Sequence, residues 1–366
     1  MKLEILRENL ERAVSVAARV SNKNLSLPVL GCVVISVDEG KGKLKSTNLD
    51  LSVEATLKAK VVENGIIAVP AHILAQTISA LTDQKLTLKT SGNNLVIDGE
   101  RVTTSITVVD SSEFPTLSHV KKGSGTEAAL PARVFAAALR AVVFSASTSS
   151  VKPELASICL SLEHGELVAA ATDSFRLAEV KVPVKAKGSF GVVLLPARNI
   201  ADVLRALDES EETEIHVGEN QVSFVSDFGY ITSRTVDGAF PDYRSVIPRD
   251  FVASATCLRE DAIKAFRKIS IFMDSFNQVH ISLKPSEKTF VVRALNASVG
   301  ETIDHIPAAL EGEDIDINFN ARYIMEALSV ISADSITFSI AGAGRPMVMT
   351  DVPHKGFTYL VMPMNR

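Results

Sequence analysis

The sequence predicts an α+β fold built from three copies of one domain, and two observations lead to this prediction. One short pattern occurs three times, at residues 69–81, 195–207 and 319–331. Within each copy, apolar or small residues recur at i, i+3, i+4 and i+7, the spacing of one face of a helix. Three copies at a nearly constant interval indicate a repeated domain rather than a chance similarity.

Each third of the chain contains a second helical pattern and several strand patterns. Residues 7–20 carry an apolar stripe of helical spacing, and similar stripes open the middle and last thirds. Alternating segments broken by Gly and Asn turns, at 86–97, 214–224 and 335–349, are typical of antiparallel hairpins. We therefore expect two helices packed on antiparallel sheets in each domain, rather than alternating βαβ units.

The domain boundaries are predicted from a second repeated motif. Phe-Pro occurs at 114–115 and again at 240–241, and a polar connector follows it each time. We therefore place the three domains at 1–124, 125–251 and 252–366.

Composition limits the class of protein. The chain has 366 residues, of which 46% are hydrophobic and 22% are charged, as in ordinary globular proteins. No apolar run approaches the roughly 18 residues of a membrane span, and residues 1–10 lack the apolar core of a signal peptide. Cys32, Cys159 and Cys257 are far apart and odd in number, which favours reduced, buried thiols. We expect a cytoplasmic protein with no membrane partner.

The motifs that usually indicate catalysis are missing from the sequence. There is no phosphate-binding loop, no H-E-x-x-H metal motif and no G-x-S-x-G nucleophile elbow. The seven histidines are scattered, without an i, i+3 or i, i+4 pair. We expect no cofactor, no metal and no catalytic residue. One alternative stays open, an α+β hydrolase or transferase whose site is assembled across domain interfaces from distant carboxylates.

Charge is distributed unevenly between the predicted helices and the rest of the chain. The chain as a whole has a formal net charge of −5. The predicted helices together carry +6, because 7–20 and 198–207 have +1 each, 131–143 and 259–268 have +2 each, and 72–81 and 321–331 have zero. A basic surface shared by the helices is suited to a polyanion such as nucleic acid.

An ordered set of motifs resembles the bacterial DNA polymerase III beta subunit family, the replicative sliding clamps. The motifs are LPVLG at 27–31, TNLD at 47–50, VPA at 69–71, FP at 114–115, ATDSFRLA at 171–178, VDGAFPDYR at 236–244 and VMPM at 361–364. The resemblance covers all 366 residues. It implies three clamp domains that form half of a closed ring, in which two chains join head to tail around duplex DNA. It also implies a non-catalytic processivity factor that slides on DNA and tethers the replicative polymerase.

The resemblance also implies particular partners and site residues. The partners are double-stranded DNA of any sequence, the polymerase catalytic subunit, the clamp loader, and other polymerases and repair proteins that carry a short apolar motif. The implied DNA-binding residues are Lys23, Asn24, Arg198, Phe276 and Asn277, and we add Lys152 as a neighbour on the same predicted surface. The implied partner-peptide groove is lined by Leu155, Thr172, Ser174, Phe175, Arg176, Leu177, Pro241, Val246, Pro346, Leu360, Met362, Pro363 and Met364. The implied homodimer interface contains Leu74, Ile78, Ile106, Val108, Ile271 and Phe272.

The middle copy of the repeated helix is the one that we expect to contact DNA most strongly. It carries Arg198 and Arg205, whereas His72 and Arg322 stand at equivalent or adjacent positions in the other copies. Two methionines beside a proline in the C-terminal tail favour a role in a pocket that accepts several partners, because flexible thioethers adapt to different surfaces.

Overall fold

A computed structural model describes residues 1–21, 27–120, 122–123, 125–354 and 356–364. Within these ranges the same order of elements occurs three times: one strand, one helix, five strands, one helix and three strands. The predicted threefold repeat, the two helices in each copy and the predicted hairpins are confirmed.

The first repeat contains nine strands and two helices among the described residues. Its elements are β1 Lys2–Leu6, α1 Arg7–Val20, β2 Cys32–Asp38, β3 Lys41–Thr47, β4 Leu51–Leu57, β5 Ala59–Glu63, β6 Gly65–Pro70, α2 Ala71–Ala80, β7 Lys85–Ser91, β8 Asn94–Asp98 and β9 Thr103–Thr107.

The middle repeat follows the same plan. Its elements are β10 Thr126–Pro131, α3 Ala132–Val142, β11 Ser157–Glu163, β12 Glu166–Thr172, β13 Arg176–Pro183, β14 Lys187–Gly188, β15 Phe190–Pro196, α4 Ala197–Leu207, β16 Glu212–Val217, β17 Gln221–Ser226 and β18 Gly229–Arg234.

The last repeat completes the series. Its elements are β19 Ala253–Leu258, α5 Arg259–Ile269, β20 Gln278–Lys284, β21 Thr289–Asn296, β22 Gly300–His305, β23 Ala308–Gly312, β24 Ile315–Asn320, α6 Ala321–Val330, β25 Ser335–Ile340, β26 Met347–Val352 and β27 Phe357–Val361. Short 3₁₀ helices cover Pro28–Gly31, Val143–Ser145, Tyr243–Val246, Ser270–Phe272 and Pro285–Glu287.

The helices form where the sequence has both an apolar face and a suitable start. In α1 the residues at the predicted spacing, such as Leu10, Val14 and Ala17, are buried. Before α6, the Asn320 side chain accepts hydrogen bonds from the backbone N–H groups of Arg322 and Tyr323, which caps the helix. Each helix therefore packs one apolar face against the chain and leaves its polar face in solvent.

The described residues divide into two compact units. One consists of Met1–Ala136, Lys185–Phe190 and Arg198–Thr235, and the other of Ala137–Val184, Gly191–Ala197 and Val236–Arg366. The first unit holds a five-stranded sheet, β5-β1-β7-β8-β9, and a nine-stranded sheet, β14-β10-β16-β17-β18-β4-β3-β2-β6. The second unit holds a nine-stranded sheet, β15-β11-β12-β13-β27-β26-β25-β19-β23, and a four-stranded sheet, β22-β21-β20-β24.

Each nine-stranded sheet contains a joint at which two repeats pair edge to edge. At the first joint β18 pairs antiparallel with β4, and at the second joint β27 pairs antiparallel with β13. Strands of the middle repeat therefore belong to both units, so the compact units do not coincide with the repeats. The domain boundaries near residues 124 and 251 stay a prediction.

Candidate functional site

The predicted groove begins at a tight turn between β12 and β13. The Thr172 hydroxyl donates to the Arg176 carbonyl at 2.6 Å, and an Asp173 carboxylate oxygen accepts from the backbone N–H groups of Phe175 and Arg176 at 2.9 and 3.0 Å. Ser174 has a φ of 78°, in the left-handed region. This turn leaves the Phe175 side chain exposed, at 62%.

Arg176 is the centre of a buried ionic and aromatic cluster. Its guanidinium donates to Asp173 at 3.0 Å and also pairs with Glu326. The guanidinium lies 4.3 Å from the centre of the Tyr323 ring and 5.6 Å from that of Phe144, within the range of cation–π attraction. Burial opposes ionisation of Glu326, but hydrogen bonds from arginine side chains outweigh burial and lower its pKa. The charge of Arg176 is therefore compensated inside the protein.

A small apolar cluster lies next to this turn. Leu177, Val348 and Leu360 are buried together, and Tyr243 and Ile247 from the connector after β18 pack on them. Two of the predicted lining residues, Leu177 and Leu360, are only 2% and 3% exposed and pack with the core of the chain, and their role in a groove stays a prediction.

Tyr243 is fixed by a buried acid that the sequence analysis did not identify. Its hydroxyl donates to Glu179 at 2.8 Å, and the Glu179 carboxylate, 3% exposed, also accepts from Lys181 at 2.8 Å. Burial and the neighbouring Glu179 carboxylate raise the pKa of Tyr243. A period-two pattern places Glu179 on a strand but gives no sign of its partner 64 residues away, so the sequence carried no usable signal.

The C-terminal tail is held by backbone hydrogen bonds. The Met362 N–H donates to the Phe175 carbonyl, and the Met364 N–H donates to the Asn318 carbonyl, each at 2.8 Å. These bonds place the tail beside the Thr172–Arg176 turn.

The predicted groove residues fall into three classes of exposure. The exposed ones are Ser174, Phe175, Pro241, Val246 and Met362. The partly buried ones are Pro346, Pro363 and Met364. The buried ones are Leu155, Thr172, Arg176, Leu177 and Leu360. The exposed residues can form a rim around a floor that the chain itself packs.

The predicted DNA-binding residues are only partly described. Lys23 and Asn24 lie outside the described residues. Lys152 is exposed, and Phe276 is 68% exposed in a turn that Asp274 supports by accepting from its backbone N–H at 3.0 Å. Asn277, next in that turn, has a φ of 56°.

Arg198, the predicted centre of DNA contact, is already in an ion pair. Its Nε donates to Asp50 at 3.0 Å, and on α1 Arg19 faces Asp202 of α4 at 3.4 Å. Arg205 is exposed and has no described partner. No local sequence pattern predicts the ion pair between Arg198 and Asp50, since the two residues are 148 positions apart.

The predicted dimer-interface residues differ strongly in exposure. Leu74 and Ile78 are fully buried at 0%, because the apolar face of α2 packs on α1, and their part in a dimer interface stays a prediction. Ile106 is 5% exposed, and Val108 and Phe272 are partly buried. Ile271, in contrast, is 68% exposed.

Several other features of the described residues bear on chemistry. Cys32 and Cys257 are buried free thiols, Cys159 is a partly buried one, and burial raises the pKa of Cys257 to about 12. Among these residues no group of three or more His, Cys, Asp or Glu side chains is arranged to hold a metal ion. None of the helices they form has the length and apolarity that a membrane crossing needs.

Comparison with known proteins relates the whole chain to one family. Models of the N-terminal, central and C-terminal domains of the DNA polymerase III beta subunit match residues 1–118, 129–242 and 244–365. The beta sliding clamp of Synechococcus elongatus is 28% identical over 373 residues, covering 100% of this chain and 99% of the relative. That of Caulobacter vibrioides is 28% identical over 375 residues and covers both chains completely.

Solved structures agree in fold. The DNA polymerase III beta subunit of Thermotoga maritima superposes with a TM-score of 0.93 at 22% identity, and the sliding clamp of Bacillus subtilis with 0.92 at 23%. Each comparison covers 100% of this chain and 99% of the other. Because the three domain models together span nearly all of the chain, the protein belongs to the DNA polymerase III beta subunit family, the non-catalytic beta sliding clamps.

Proposed function

We propose that two copies of this chain form a closed ring that encircles duplex DNA, slides along it and tethers the replicative polymerase. The sheet topology carries the proposal. Two sheets have nine strands each, whereas the other two end after five strands at β9 and after four strands at β22. If β9 of one chain pairs with β22 of the other, the five-stranded sheet of the first chain and the four-stranded sheet of the second join into one sheet of nine strands. Two such joints related by a two-fold axis close the assembly.

The joints inside the chain specify a register for this pairing. At the second joint, Tyr359 of β27 lies opposite Ala178 of β13. The strand registers of the repeats can be aligned with one another. In this alignment Thr104 on β9 is equivalent to Tyr359, and Thr302 on β22 is equivalent to Ala178. We therefore propose that Thr104 of each chain lies opposite Thr302 of the partner subunit.

Exposed apolar side chains around β22 support an interface there. Leu295, Val299 and Ile303 are 55 to 60% exposed on β21, the following turn and β22. The Phe272 ring lies beside Gly300, the first residue of β22, so this aromatic side chain is next to the same strand end. Covering these side chains with a second chain removes apolar surface from water.

In the proposed ring, DNA is held by weak contacts that do not depend on base sequence. Side chains such as Lys152 and Arg198 contact phosphates rather than bases, so that binding depends on salt and permits sliding. The groove rim around Phe175, Val246 and Met362 takes a short apolar peptide. Its sources are the polymerase catalytic subunit, the clamp loader, other polymerases and repair proteins. A cytoplasmic location follows from these partners.

A cysteine pair tests the ring directly. Residues directly opposite each other on antiparallel strands have Cβ atoms about 4.5–5.5 Å apart, so Thr104→Cys combined with Thr302→Cys should crosslink two chains on oxidation. The pair Ser105→Cys with Thr302→Cys is the matched control, because a one-residue shift turns the side chain to the other face of the sheet. Equal crosslinking of both pairs, or a monomer of 39.3 kDa at micromolar concentration, would contradict the proposed interface.

Retention on DNA tests the sliding mechanism. A loaded ring should remain on nicked circular DNA and be lost after the circle is cut. Equal loss from circular and linear DNA would overturn the encirclement.

A further inference from the structure

A cavity between α5 and α6 has a cationic wall and an apolar floor. Its volume is about 350 Å³, with Arg259 and Arg267 on the wall and Phe266 and Leu328 among the apolar residues that form the floor. None of the residues predicted for the groove, the dimer interface or DNA contact lines this cavity.

The two arginines are available to a ligand. Arg259 Nε donates to the Leu328 carbonyl at 3.1 Å, which orients its guanidinium at the end of α6. Arg267 is exposed, and within the described residues neither arginine lies within ion-pair distance of a carboxylate. The adjacent acid, Glu260, is instead hydrogen-bonded to Lys264 at 3.0 Å.

The equivalent cavity in the first repeat has the opposite character. It lies between α1 and α2, has a volume of about 290 Å³, and is lined by Glu11 and Ser15 where the last repeat has Ile263 and Arg267. There Arg7, the equivalent of Arg259, forms an ion pair with Glu11 at 2.6 Å. The pair formed by Arg259 and Arg267 therefore has no equivalent in the cavity of the first repeat, and it does not follow from the repeated backbone.

We propose that the cavity between α5 and α6 binds a phosphodiester group of the encircled duplex. Arg259 and Arg267 contact the phosphate oxygens, a geometry for which guanidinium groups are well suited. The partly exposed apolar side chains of the cavity, Ile263 and Met325, pack against the adjoining deoxyribose. Such a site reads no base and is compatible with sliding. The inference rests on the proposed DNA encirclement and assigns one of its contacts to the last repeat.

The test is salt-dependent binding of a short fluorescent DNA duplex to the full-length protein, measured by anisotropy. Loss of one phosphate contact lowers the slope of log K against log salt by about 0.9, and we expect this change in the double variant Arg259→Ala, Arg267→Ala. Lys264→Ala is the matched control, because it removes a positive charge from the same helix outside the cavity. An unchanged slope in the double variant, or the same change in Lys264→Ala, overturns the inference.

A second variant leaves both arginines in place. Ile263→Glu introduces the acid that stands at the equivalent position in the first repeat, so it should pair with Arg259 and weaken duplex binding as the double variant does. Wild-type affinity in Ile263→Glu, with normal thermal unfolding, also overturns the site. Retention of the wild-type protein on nicked circular DNA is measured separately. Failure there contradicts encirclement, whereas retention with unchanged variant binding contradicts only this cavity.

Discussion

The two strand joints inside the chain have the same backbone but different side-chain chemistry. At the first joint the Arg234 N–H donates to the Asp50 carbonyl at 2.9 Å, and at the second the Met362 N–H donates to the Phe175 carbonyl at 2.8 Å. These bonds occupy equivalent places, since each closes the ladder beside the turn that precedes β4 or β13. The repeat has therefore preserved the joint at the level of individual backbone hydrogen bonds.

The side chains on these equivalent backbones differ in polarity. Opposite each other at the first joint are Ser52 and Thr232, and at the second joint Leu177 and Leu360. Asp50 at the first joint is in an ion pair with Arg198, whereas Phe175 at the second is an exposed ring. An apolar peptide can gain hydrophobic contact only at the second joint. The proposed location of the groove therefore depends on side chains rather than on the fold.

The largest expected difference between the joints lies at Arg176, whose first-joint equivalent is Leu51. Arg176→Leu would leave the Asp173 carboxylate without its cation and Glu326 with Arg322 as its remaining cation. Removing one partner of a buried ion pair costs about 3 kcal/mol or more, so the urea midpoint of unfolding should fall clearly.

The companion double variant, Arg176→Leu with Glu326→Leu, should recover part of this loss, because it replaces one of the two ion pairs by apolar side chains and leaves only Asp173 without a cation. A wild-type midpoint for Arg176→Leu alone would mean that the cluster does not stabilise the second joint.

The first joint has its own buried acid, Glu54, and this predicts an acid-sensitive contribution to stability. The imidazole of His119 and the ammonium of Lys43 lower the pKa of Glu54 to about 2, from the ordinary value of 4.5 for a glutamate. A folded-state pKa below the unfolded value stabilises the fold above pH 4.5, and this stability is lost as the pH falls towards 2. At 1.36 kcal/mol per unit, the contribution is roughly 3 kcal/mol.

Chemical denaturation of wild type and Glu54→Gln between pH 7 and pH 2 measures this contribution. The variant should lose less stability on acidification than the wild type. Parallel pH profiles for the two proteins would contradict the role of Glu54 at the first joint.

The proposed groove can be tested by replacing two of its exposed apolar side chains with the charged side chains found at the first joint. Phe175→Asp and Met362→Arg copy the side chains found at the equivalent positions, Asp50 and Arg234. Each lost apolar contact is worth roughly 1.5 kcal/mol or more, so the double variant should bind a labelled apolar partner peptide about 100-fold more weakly.

The matched control for this variant is Val192→Asp, which changes another exposed apolar side chain on β15, at the edge of the same sheet. Peptide affinity that is unchanged in the double variant, or equally reduced in the control, would contradict the assignment of the rim.

The sequence predicted the elements well because helix and strand periods are local. The two helices in each repeat and the β7–β8, β16–β17 and β25–β26 hairpins lie where the patterns placed them. Partners between elements were not predictable in the same way. The Arg176–Glu326 pair joins residues 150 positions apart, and no local pattern identifies which distant acid a cation will meet.

The same limit applies to two residues of the predicted dimer interface. Leu74 and Ile78 share the apolar face of α2, and an apolar face on a helix serves equally for a core or for an interface. The structure places this face against α1, which uses it within the chain. Exposure, which separates Ile271 from Ile78, is not encoded in residue type.

The smallest expected effect concerns the tyrosine side chains near the two joints, Tyr243 and Tyr230. Tyr243→Phe keeps the ring but removes the hydrogen bond to Glu179, which costs about 1 kcal/mol. Because Tyr243 begins the 3₁₀ helix that presents Val246, peptide affinity should fall a few-fold.

At the first joint Tyr230 stacks on His119 at 4.7 Å between ring centres, and its hydroxyl has no described partner, so Tyr230→Phe should leave both stability and peptide affinity unchanged. Equal effects of the two substitutions would show that loss of a hydroxyl alone, rather than the buried Glu179, accounts for the change.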